Sequence, residues 1–381
     1  MSVRKRTWTT RKGEQRESWI VDYIDQGGDR HIQTFGRKKD ADDDHATVKV
    51  DVSKGVHTPH SKSRTVAEAA EDWLQYVELE KRERSTLDHY RNHVKNHINP
   101  RLGGEKVAKL TTPRVQAFRD DLLASLSRIH AKKVLTSLKS LLKDAQRRGN
   151  VAQNVALGVS IKRDNRTKLK LKVGVDIPTP DEIKRVVHTA TGRVRPFLIT
   201  VIFTGLRSSE LRGLRWVDVD LKNGELHVRQ RADRYNEMGK PKSEAGERTV
   251  PLGPFVVNTL KEWKLACPRG ELGLVFPNTL GKIWDHADIV SRYVWPTMVA
   301  AGVTVTVKHG EPEAKYTGLH SLRHFYASWL INRKKDGGLE LPPKTVQARM
   351  GHSSIVVTMD TYGHLFPSSD DGSEMAEADL A

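Results

Sequence analysis

Two segments in the last third of the chain hold a run of chemically informative residues, HSLRHFYASWL at 320–330 and QARMGHSSIVVTMDTYGHLF at 347–366. In the first segment, large apolar side chains recur every three to four residues, which predicts a helix with one buried face. His320 and Arg323 are three residues apart and therefore project from the same side of that helix.

His352 and Tyr362, ten residues apart in the second segment, complete a set of two imidazoles, one guanidinium and one phenol. Arginine binds phosphate oxygens through its bidentate fork. Histidine donates hydrogen bonds to reacting oxygens or exchanges protons with them, and tyrosine can act as a nucleophile that forms a covalent intermediate. If these side chains converge, the sequence predicts a site for phosphoryl transfer.

The order H-x-L-R-H, then G-H, then a tyrosine ten residues on resembles the C-terminal signature of the tyrosine recombinases, the phage integrase family. Met350 stands where leucine is usual in that signature. TGLRSSELRGLRWVD at 204–218 is similar to the family's first arginine motif. The resemblance implies that Arg207 is a phosphate ligand and that Glu210 supports the local structure.

The family also carries a catalytic lysine on a β-hairpin. Here GELHVRQ (224–230) and RTVPL (248–252) are predicted strands on either side of KPKSEAGE (240–247). The resemblance implies that Lys242 is this lysine, and Lys240 remains a competing candidate.

The resemblance implies DNA strand exchange through a 3′-phosphotyrosine, without ATP, metal or another cofactor. Tyr362 would attack the phosphodiester and release a 5′-hydroxyl, while the two arginines neutralise the growing negative charge. His320 would take the tyrosine proton or hydrogen-bond a non-bridging oxygen. Lys242 would protonate the leaving 5′-oxygen, and His352 would donate a further hydrogen bond to the phosphate.

A metal site is the alternative reading of the histidines. His320 and His324 lie at i and i+4, and His352 and His364 follow. Zinc hydrolases often use H-E-x-x-H on a helix. Here Ser321 stands where the glutamate base would be, and the arginine between the two histidines repels a cation. The sequence therefore predicts no metal.

Composition points to a nucleic-acid partner. The formal net charge is +17, with 64 Lys plus Arg against 47 Asp plus Glu. No apolar run approaches the length of a membrane span, so we expect no membrane association and a location in the bacterial cytoplasm, at the nucleoid. The single Cys267 excludes disulfides within the chain and a Cys-rich zinc module.

The sequence predicts a multidomain, mainly α protein. Residues 1–60 read as a small β-sheet followed by a helix at 38–54, and they resemble the AP2-like arm-binding domain of many phage integrases. Arg4, Lys5 and Arg6 are its candidate DNA contacts.

Residues 64–161 read as helical and resemble the SAM-like core-binding domain of the same family. Ser85 and Thr112 are predicted helix N-caps, and the helix that begins at Ser85 is expected to end before Pro100. A basic helix is predicted from His130 to Arg148. Its candidate DNA contacts are Lys132, Lys133 and Lys139.

Three further segments complete the predicted organisation. Residues 162–177 form a basic linker, in which Arg163 and Arg166 are candidate DNA contacts. The resemblance implies that 178–366 is a mixed, mostly α catalytic domain of the tyrosine recombinase type. Residues 367–381 are acidic and predict a flexible tail.

The resemblance as a whole implies a site-specific integrase that inserts or excises a phage or mobile element. Its implied partners are double-stranded DNA with core and arm attachment sites, other copies of the chain in a tetramer, an excisionase and a host DNA-bending protein. A Xer-like resolvase and a type IB topoisomerase-like enzyme are alternatives that share the chemistry. A non-catalytic DNA-binding regulator is the alternative of another class.

Overall fold

The computed structural model describes residues 1–10, 12–25, 28–53, 63–162, 170–306 and 310–367. Two compact units divide the chain, Met1–Asn165 and Arg166–Ala381. Helices dominate both, with small sheets, which confirms the predicted multidomain, mainly α fold class. Among the described residues, no helix has the length and apolar character needed to cross a bilayer.

A three-stranded antiparallel sheet opens the first unit. It consists of β1 (Ser2–Thr9), β2 (Gln15–Ile24) and β3 (Arg30–Phe35), with β2 in the centre, and α1 (Lys38–Ser53) packs against it. Val21 and Tyr23 on one face of β2 are buried against α1. The predicted sheet and helix are therefore confirmed.

The remainder of the first unit is a helical module with its own apolar core. Its helices are α2 (Val66–Leu79), α3 (Arg84–His93), α4 (Asn99–Leu102), α5 (Thr112–Ser125) and α6 (Arg128–Arg147). α6 buries one face among the other helices, because its apolar side chains recur at helical spacing.

Two predicted helix starts in this module were wrong by one or two residues. α3 begins at Arg84, with Glu83 in the capping position, so Ser85 lies inside the first turn. α5 begins at Thr112, and the hydroxyl of Thr111 accepts the hydrogen bond that caps it. At α5 two adjacent threonines offer equivalent capping oxygens, and at α3 the side chain of Glu83 makes no capping hydrogen bond, so the sequence alone does not mark either start.

The expectation that the second helix of the module ends before Pro100 was also wrong. A π-helical turn at Val94–Ile98 follows α3 directly, and α4 continues from it with Pro100 in its first turn. In the π-helical turn the backbone hydrogen bonds span five residues, and the N–H of Asn99 donates to the carbonyl of Val94. This change of spacing accommodates Pro100, which has no N–H to donate.

The second unit contains nine helices among its described residues, several of them short. They are α7 (Pro180–Thr189), α8 (Val194–Thr204), α9 (Ser208–Arg212), α10 (Pro254–Ala266), α11 (His286–Ile289), α12 (Trp295–Ala300), α13 (Leu319–Ile331), α14 (Pro343–Met350) and α15 (Ile355–Tyr362). α8 is apolar on all sides and packs against α10 and α13, which places it in the middle of the core.

Small antiparallel sheets lie between these helices. The strands are β4 (Val219–Asp220), β5 (Glu225–Val228), β6 (Arg231–Ala232), β7 (Met238–Gly239), β8 (Arg248–Pro251), β9 (Thr304–Thr306) and β10 (Pro312–Ala314). They form a three-stranded sheet in the order β4-β5-β8 and two pairs, β6-β7 and β9-β10.

The predicted simple hairpin between β5 and β8 was only partly right. These two strands do pair, but the chain between them forms a second hairpin, β6-β7, before it returns. Asp233 stabilises the tip of that second hairpin by accepting hydrogen bonds from the backbone N–H groups of Tyr235 and Glu237. Lys242 therefore lies after this inner hairpin, on the connection that leads to β8.

Candidate active site

Two glycines at helix ends position the carbonyl groups around which the site is built. Gly205 ends α8 with φ of +59°, and Gly351 ends α14 with φ of +62°. A Cβ at Gly205 would overlap the ring of Tyr326, and one at Gly351 would lie 2.7 Å from Nη1 of Arg248. Both positions therefore need glycine for conformation and for space.

Arg323, on α13, is the most deeply buried cation of the site, with 2% of its surface exposed. Its guanidinium donates to the carbonyls of Gly205 and Met350, which join the ends of α8 and α14. Burial, followed by the charge of Arg207, lowers the pKa of Arg323 to about 9. Within the described ranges it forms no ion pair with a carboxylate, so its charge is available to an anion.

Glu210 holds two further arginines in place. Its carboxylate accepts from Nη1 of Arg207 at 2.6 Å and from Nη2 of Arg248 at 2.9 Å. Burial works against ionisation of Glu210, but the two guanidinium groups outweigh it and lower the pKa of the carboxyl. Arg207 also donates to the carbonyl of Gly351 at 2.9 Å. Together with Arg323, the site therefore has three guanidinium groups and one carboxylate, which leaves it positively charged.

Tyr362 ends α15 with 2% of its surface exposed. Its hydroxyl lies 2.7 Å from Nδ1 of His324. Burial raises the pKa of Tyr362 to about 12, although the charges of Arg323 and Arg207 oppose this rise. The phenol therefore lies beside the arginine cluster as a neutral group that must lose a proton to act as a nucleophile.

His320 is exposed, and its ring meets the ring of His324 edge to face at 4.5 Å between centroids. Loss of solvent, followed by the charges of Arg323 and Arg207, lowers its pKa. No hydrogen bond joins its side chain to another residue in the described part of the chain. The prediction that His320 takes the tyrosine proton does not match this geometry, because His324 is the imidazole in contact with the phenol.

His352 lies on the other side of the phenol, with its ring parallel to that of Tyr362 at 6.2 Å between centroids. Its Nδ1 is 2.9 Å from Oγ1 of the fully buried Thr358. Burial, followed by the charges of Arg323 and Arg207, lowers the pKa of His352 to about 4. A neutral imidazole so placed can donate one hydrogen bond to a phosphate oxygen.

The structure thus gathers five of the six predicted catalytic residues. The sixth, Lys242, is exposed between β7 and a short turn at Glu244–Gly246, and it takes no part in the hydrogen bonds described above. Lys240 is also exposed, and its carbonyl accepts from Nε of Arg231 at 3.1 Å.

Sequence reasoning missed two members of the site. Arg248 was noted only as the start of a strand, and its pairing with Glu210 spans 38 residues of sequence. His324 was considered only as a metal ligand. Its position four residues after His320, on the same face of the helix, is the available signal.

The histidines of the metal alternative do not converge on one point. In the described residues, the group whose spacing could hold an ion is Asp25, Asp29 and His31, which includes none of these four histidines. His364 instead contacts the carbonyl of Leu171 through Nε2 at 2.8 Å.

The candidate DNA contacts differ in their surroundings. Arg4 and Lys5 form ion pairs with Asp22 and Glu17 on the adjacent strand, at 3.3 and 2.5 Å. Three exposed residues have side chains without a hydrogen-bond or ion-pair partner in the described part of the chain, namely Arg6, Lys132 and Lys133. Lys139 donates to the carbonyl of Leu157 at 3.1 Å. Arg163 and Arg166 lie outside the described residues, as do most of the basic linker's central residues and residues 368–381 of the acidic tail.

Comparison with known proteins identifies the family of this chain. The profile of the phage integrase family matches residues 178–368, and that of the phage integrase N-terminal SAM-like domain matches residues 65–123. A tyrosine recombinase XerC-like protein of Caldanaerobacter subterraneus subsp. tengcongensis is 26% identical over 330 residues, which cover 80% of each chain. The ICEBs1 integrase of Bacillus subtilis is 25% identical over 305 residues, 77% of each chain.

Solved structures share the fold at low sequence identity. A fragment of the Tn1549 transposon integrase in complex with a circular intermediate DNA matches with a TM-score of 0.64 at 20% identity, over 84% of this chain and 100% of that one. A lambda integrase dimer bound to a COC′ core site matches with a TM-score of 0.59 at 17% identity, over 96% and 95%. The chain belongs to the phage integrase family and is a tyrosine recombinase, an enzyme that transfers DNA strands.

Proposed function

We propose that this recombinase cuts and rejoins DNA at specific sites through a 3′-phosphotyrosine on Tyr362, and that it integrates and excises a phage or mobile element. The observation that carries the proposal is the buried guanidinium of Arg323, which has no carboxylate partner among the described residues and whose charge reaches the phenol of Tyr362. A scissile phosphate bound there would neutralise the cation and meet the nucleophile.

The site supports a division of roles. Arg207 and Arg323 neutralise the charge that develops on the phosphate, and His352 donates a further hydrogen bond to it. Glu210 holds the guanidinium of Arg207 in position and takes no part in the chemical step. Lys242 is proposed as the acid that protonates the leaving 5′-oxygen, and Lys240 is the competing lysine. We propose that bound DNA brings the segment between β7 and β8, which carries both lysines, toward the phosphate. No step of this scheme requires a metal or ATP.

The proposed organisation follows the sequence boundaries. Residues 1–60 bind arm sites and residues 64–161 bind the core site. Residues 162–177 link them to the catalytic domain at 178–366, and residues 367–381 form an acidic tail. Exposed Arg6, Lys132 and Lys133 support DNA contacts on the first two modules. The structure does not describe Arg163 and Arg166, which are proposed to follow the DNA backbone.

Partners are proposed from the relatives. A lambda integrase tetramer bound to a Holliday junction shares the fold, with a TM-score of 0.58. We therefore expect a tetramer of this chain on two duplexes. The family resemblance alone is the basis for proposing an excisionase and a host DNA-bending protein as accessory factors, and activity at the bacterial nucleoid in the cytoplasm.

A Xer-like resolvase is the second candidate function. The observation that favours it is the name of the relative from Caldanaerobacter subterraneus, which covers 80% of this chain. The three-stranded module at the start of the chain favours the integrase, since the resemblance associates such a module with arm-site binding.

A covalent trap tests both functions. Purified protein is incubated in EDTA with nicked duplex fragments from the DNA beside its own gene and from the host genome, and then denatured in SDS. We expect adducts that map to a short core shared by both sources and that disappear in Tyr362→Phe, which should retain DNA binding. Adducts at one chromosomal site unlinked to the gene would indicate the resolvase. Binding without any adduct would overturn the catalytic assignment.

A further inference from the structure

The hydroxyl of Tyr362 has a specific partner. Tyr362 is almost fully buried, and a buried hydroxyl requires a hydrogen-bond partner. Nδ1 of His324 supplies it at 2.7 Å, and the two rings lie 5.6 Å apart at a steep angle of 64°. This contact joins α13 to α15 and fixes the direction in which the phenolic oxygen points.

The protonation state of His324 allows it to act as an acceptor. Burial, followed by the charges of His320 and Arg323, lowers the pKa of His324 to about 4. At neutral pH the imidazole is therefore uncharged, with one nitrogen protonated and the other free to accept. Transfer of the phenolic proton requires the tautomer with the ring proton on Nε2, in which Nδ1 accepts from the Tyr362 hydroxyl.

We propose that His324, and not His320, orients the hydroxyl of Tyr362 and accepts its proton during DNA cleavage. His320 is then free to act on the phosphate or on the leaving group, since its exposed ring contacts His324 and not the phenol. The proposal rests on the proposed phosphotyrosine chemistry and assigns one proton within it.

Three elements contribute the titratable groups around His324. His320 and Arg323 lie on its own helix and disfavour a charged imidazole, and the neutral phenol of Tyr362 faces it from α15. The carboxylate of Asp176, on the turn that precedes α7, acts in the opposite direction and raises the His324 pKa. Asp176 is itself held by the backbone N–H of Lys172 at 2.9 Å. When a phosphate neutralises Arg323, this carboxylate remains to stabilise the imidazolium.

The step balances in both directions. During cleavage the Tyr362 oxygen forms a bond to phosphorus, the bond from phosphorus to the 5′-oxygen breaks, and that oxygen leaves with the electron pair and takes a proton from the acid. The proton of Tyr362 moves to Nδ1 of His324. During rejoining the 5′-hydroxyl attacks phosphorus and gives its proton back to the conjugate base of the acid. The bond from phosphorus to the tyrosine oxygen breaks, and His324 returns its proton to that oxygen.

A substrate with sulfur in place of the bridging 5′-oxygen separates base from acid, because a thiolate leaves without protonation. The probe is a nicked duplex that carries the core sequence mapped by the covalent trap, with either oxygen or sulfur at the cleaved position. His324→Asn retains an oxygen acceptor near the place of Nδ1 but cannot take a proton at neutral pH. His320→Asn is the matched control, one helical turn away.

We expect His324→Asn to form adducts at least about 100-fold more slowly than the wild type on both substrates, because general bases typically contribute 10²–10⁴-fold. Raising the pH should recover part of the rate, since hydroxide then ionises the phenol. Added imidazole should partly restore His324→Ala. His320→Asn should respond differently. If His320 assists the leaving group, the loss of rate in this variant should be smaller on the sulfur substrate than on the oxygen substrate.

Two outcomes would overturn the assignment. One is a wild-type rate for His324→Asn on the sulfur substrate, which would place His324 on the acid side or outside the chemistry. The other is a large loss of rate in His320→Asn that is the same on the oxygen and sulfur substrates, as expected for loss of the base. Retained DNA binding and an unchanged melting temperature show that each variant is folded. If the wild type itself forms no adduct with any DNA, the proposed function fails, and this result is distinct from a failure of His324 alone.

Discussion

At the scale of single residues, the site depends on a balance between one buried carboxylate and several cations. Glu210 contacts both Arg207 and Arg248, and the side chains of Glu210 and Arg248 are only 3% and 6% exposed. Removing one partner of a buried pair leaves the other charge uncompensated, which costs more than the pair itself contributes. The carboxylate is therefore the residue whose loss should be most damaging to the fold of the site.

Glu210→Gln should lower the free energy of unfolding by about 3–5 kcal/mol, the range for breaking a buried ion pair. Urea denaturation followed by tryptophan fluorescence measures this. Lys184→Gln is the control, because Lys184 and its partner Asp181 are 72% and 86% exposed. It should change stability by less than about 0.5 kcal/mol. Equal effects of the two substitutions would contradict the structural role of Glu210.

At the scale of elements, Gly205 at the end of α8 must adopt a left-handed backbone conformation and must also leave space for a neighbouring ring. Comparison with a second glycine separates these two requirements. Gly205 and Gly273 have the same φ of +59°, but a Cβ meets Tyr326 at Gly205 and meets nothing within 4 Å at Gly273. The carbonyl of Gly205 also accepts from Arg323. The end of this helix therefore links the backbone of the core to the phosphate-binding cation.

Gly273→Ala should cost about 1–2 kcal/mol, the cost of left-handed backbone for a residue with a side chain. Gly205→Ala should cost about 1–3 kcal/mol more, because the added carbon overpacks the buried ring. It should also slow adduct formation by displacing Arg323. Thermal unfolding and the covalent trap measure the two effects. Equal stability and full adduct formation in both variants would show that Tyr326 moves aside freely.

At the scale of the whole molecule, histidines whose pKa is lowered by partial or complete burial occur in both units. His93 in the first unit, and His324 and His352 in the second, each have a pKa lowered to about 4 from 6.5, mainly by burial. His93 faces the side chain of Ser137 at 2.8 Å and the ring of His130 at 5.6 Å between centroids. These groups connect the stability of each unit to pH.

Stability should therefore fall as the pH is lowered from about 7 to 5. Between pH 6.5 and 4 the unfolded chain binds protons that the folded chain does not, so the free energy of unfolding rises with pH in this window. Hydrogen exchange read by mass spectrometry can follow each unit separately. His93→Asn should weaken the pH dependence in the first unit and leave that of the second unchanged. An unaltered pH dependence in the first unit would exclude His93 as its source.

Much of the architecture could be predicted because local sequence patterns determine it. The apolar spacing around Leu322 and Phe325 predicts α13, and a positive-φ glycine ends α8 where the sequence places Gly205. The inner hairpin was missed because its strands are two residues long and its turn depends on one side chain, that of Asp233. Short strands carry too little periodicity to be recognised.

The sequence by itself determined the family and the identity of most site residues, because spacing along one helix and the order of motifs are properties of the chain alone. Only the tertiary structure decided that Arg248 joins the site through Glu210 and that His324 contacts Tyr362. Both contacts connect segments that are 38 residues apart. The packing of helices sets which side chains meet over such separations, and no local pattern encodes it.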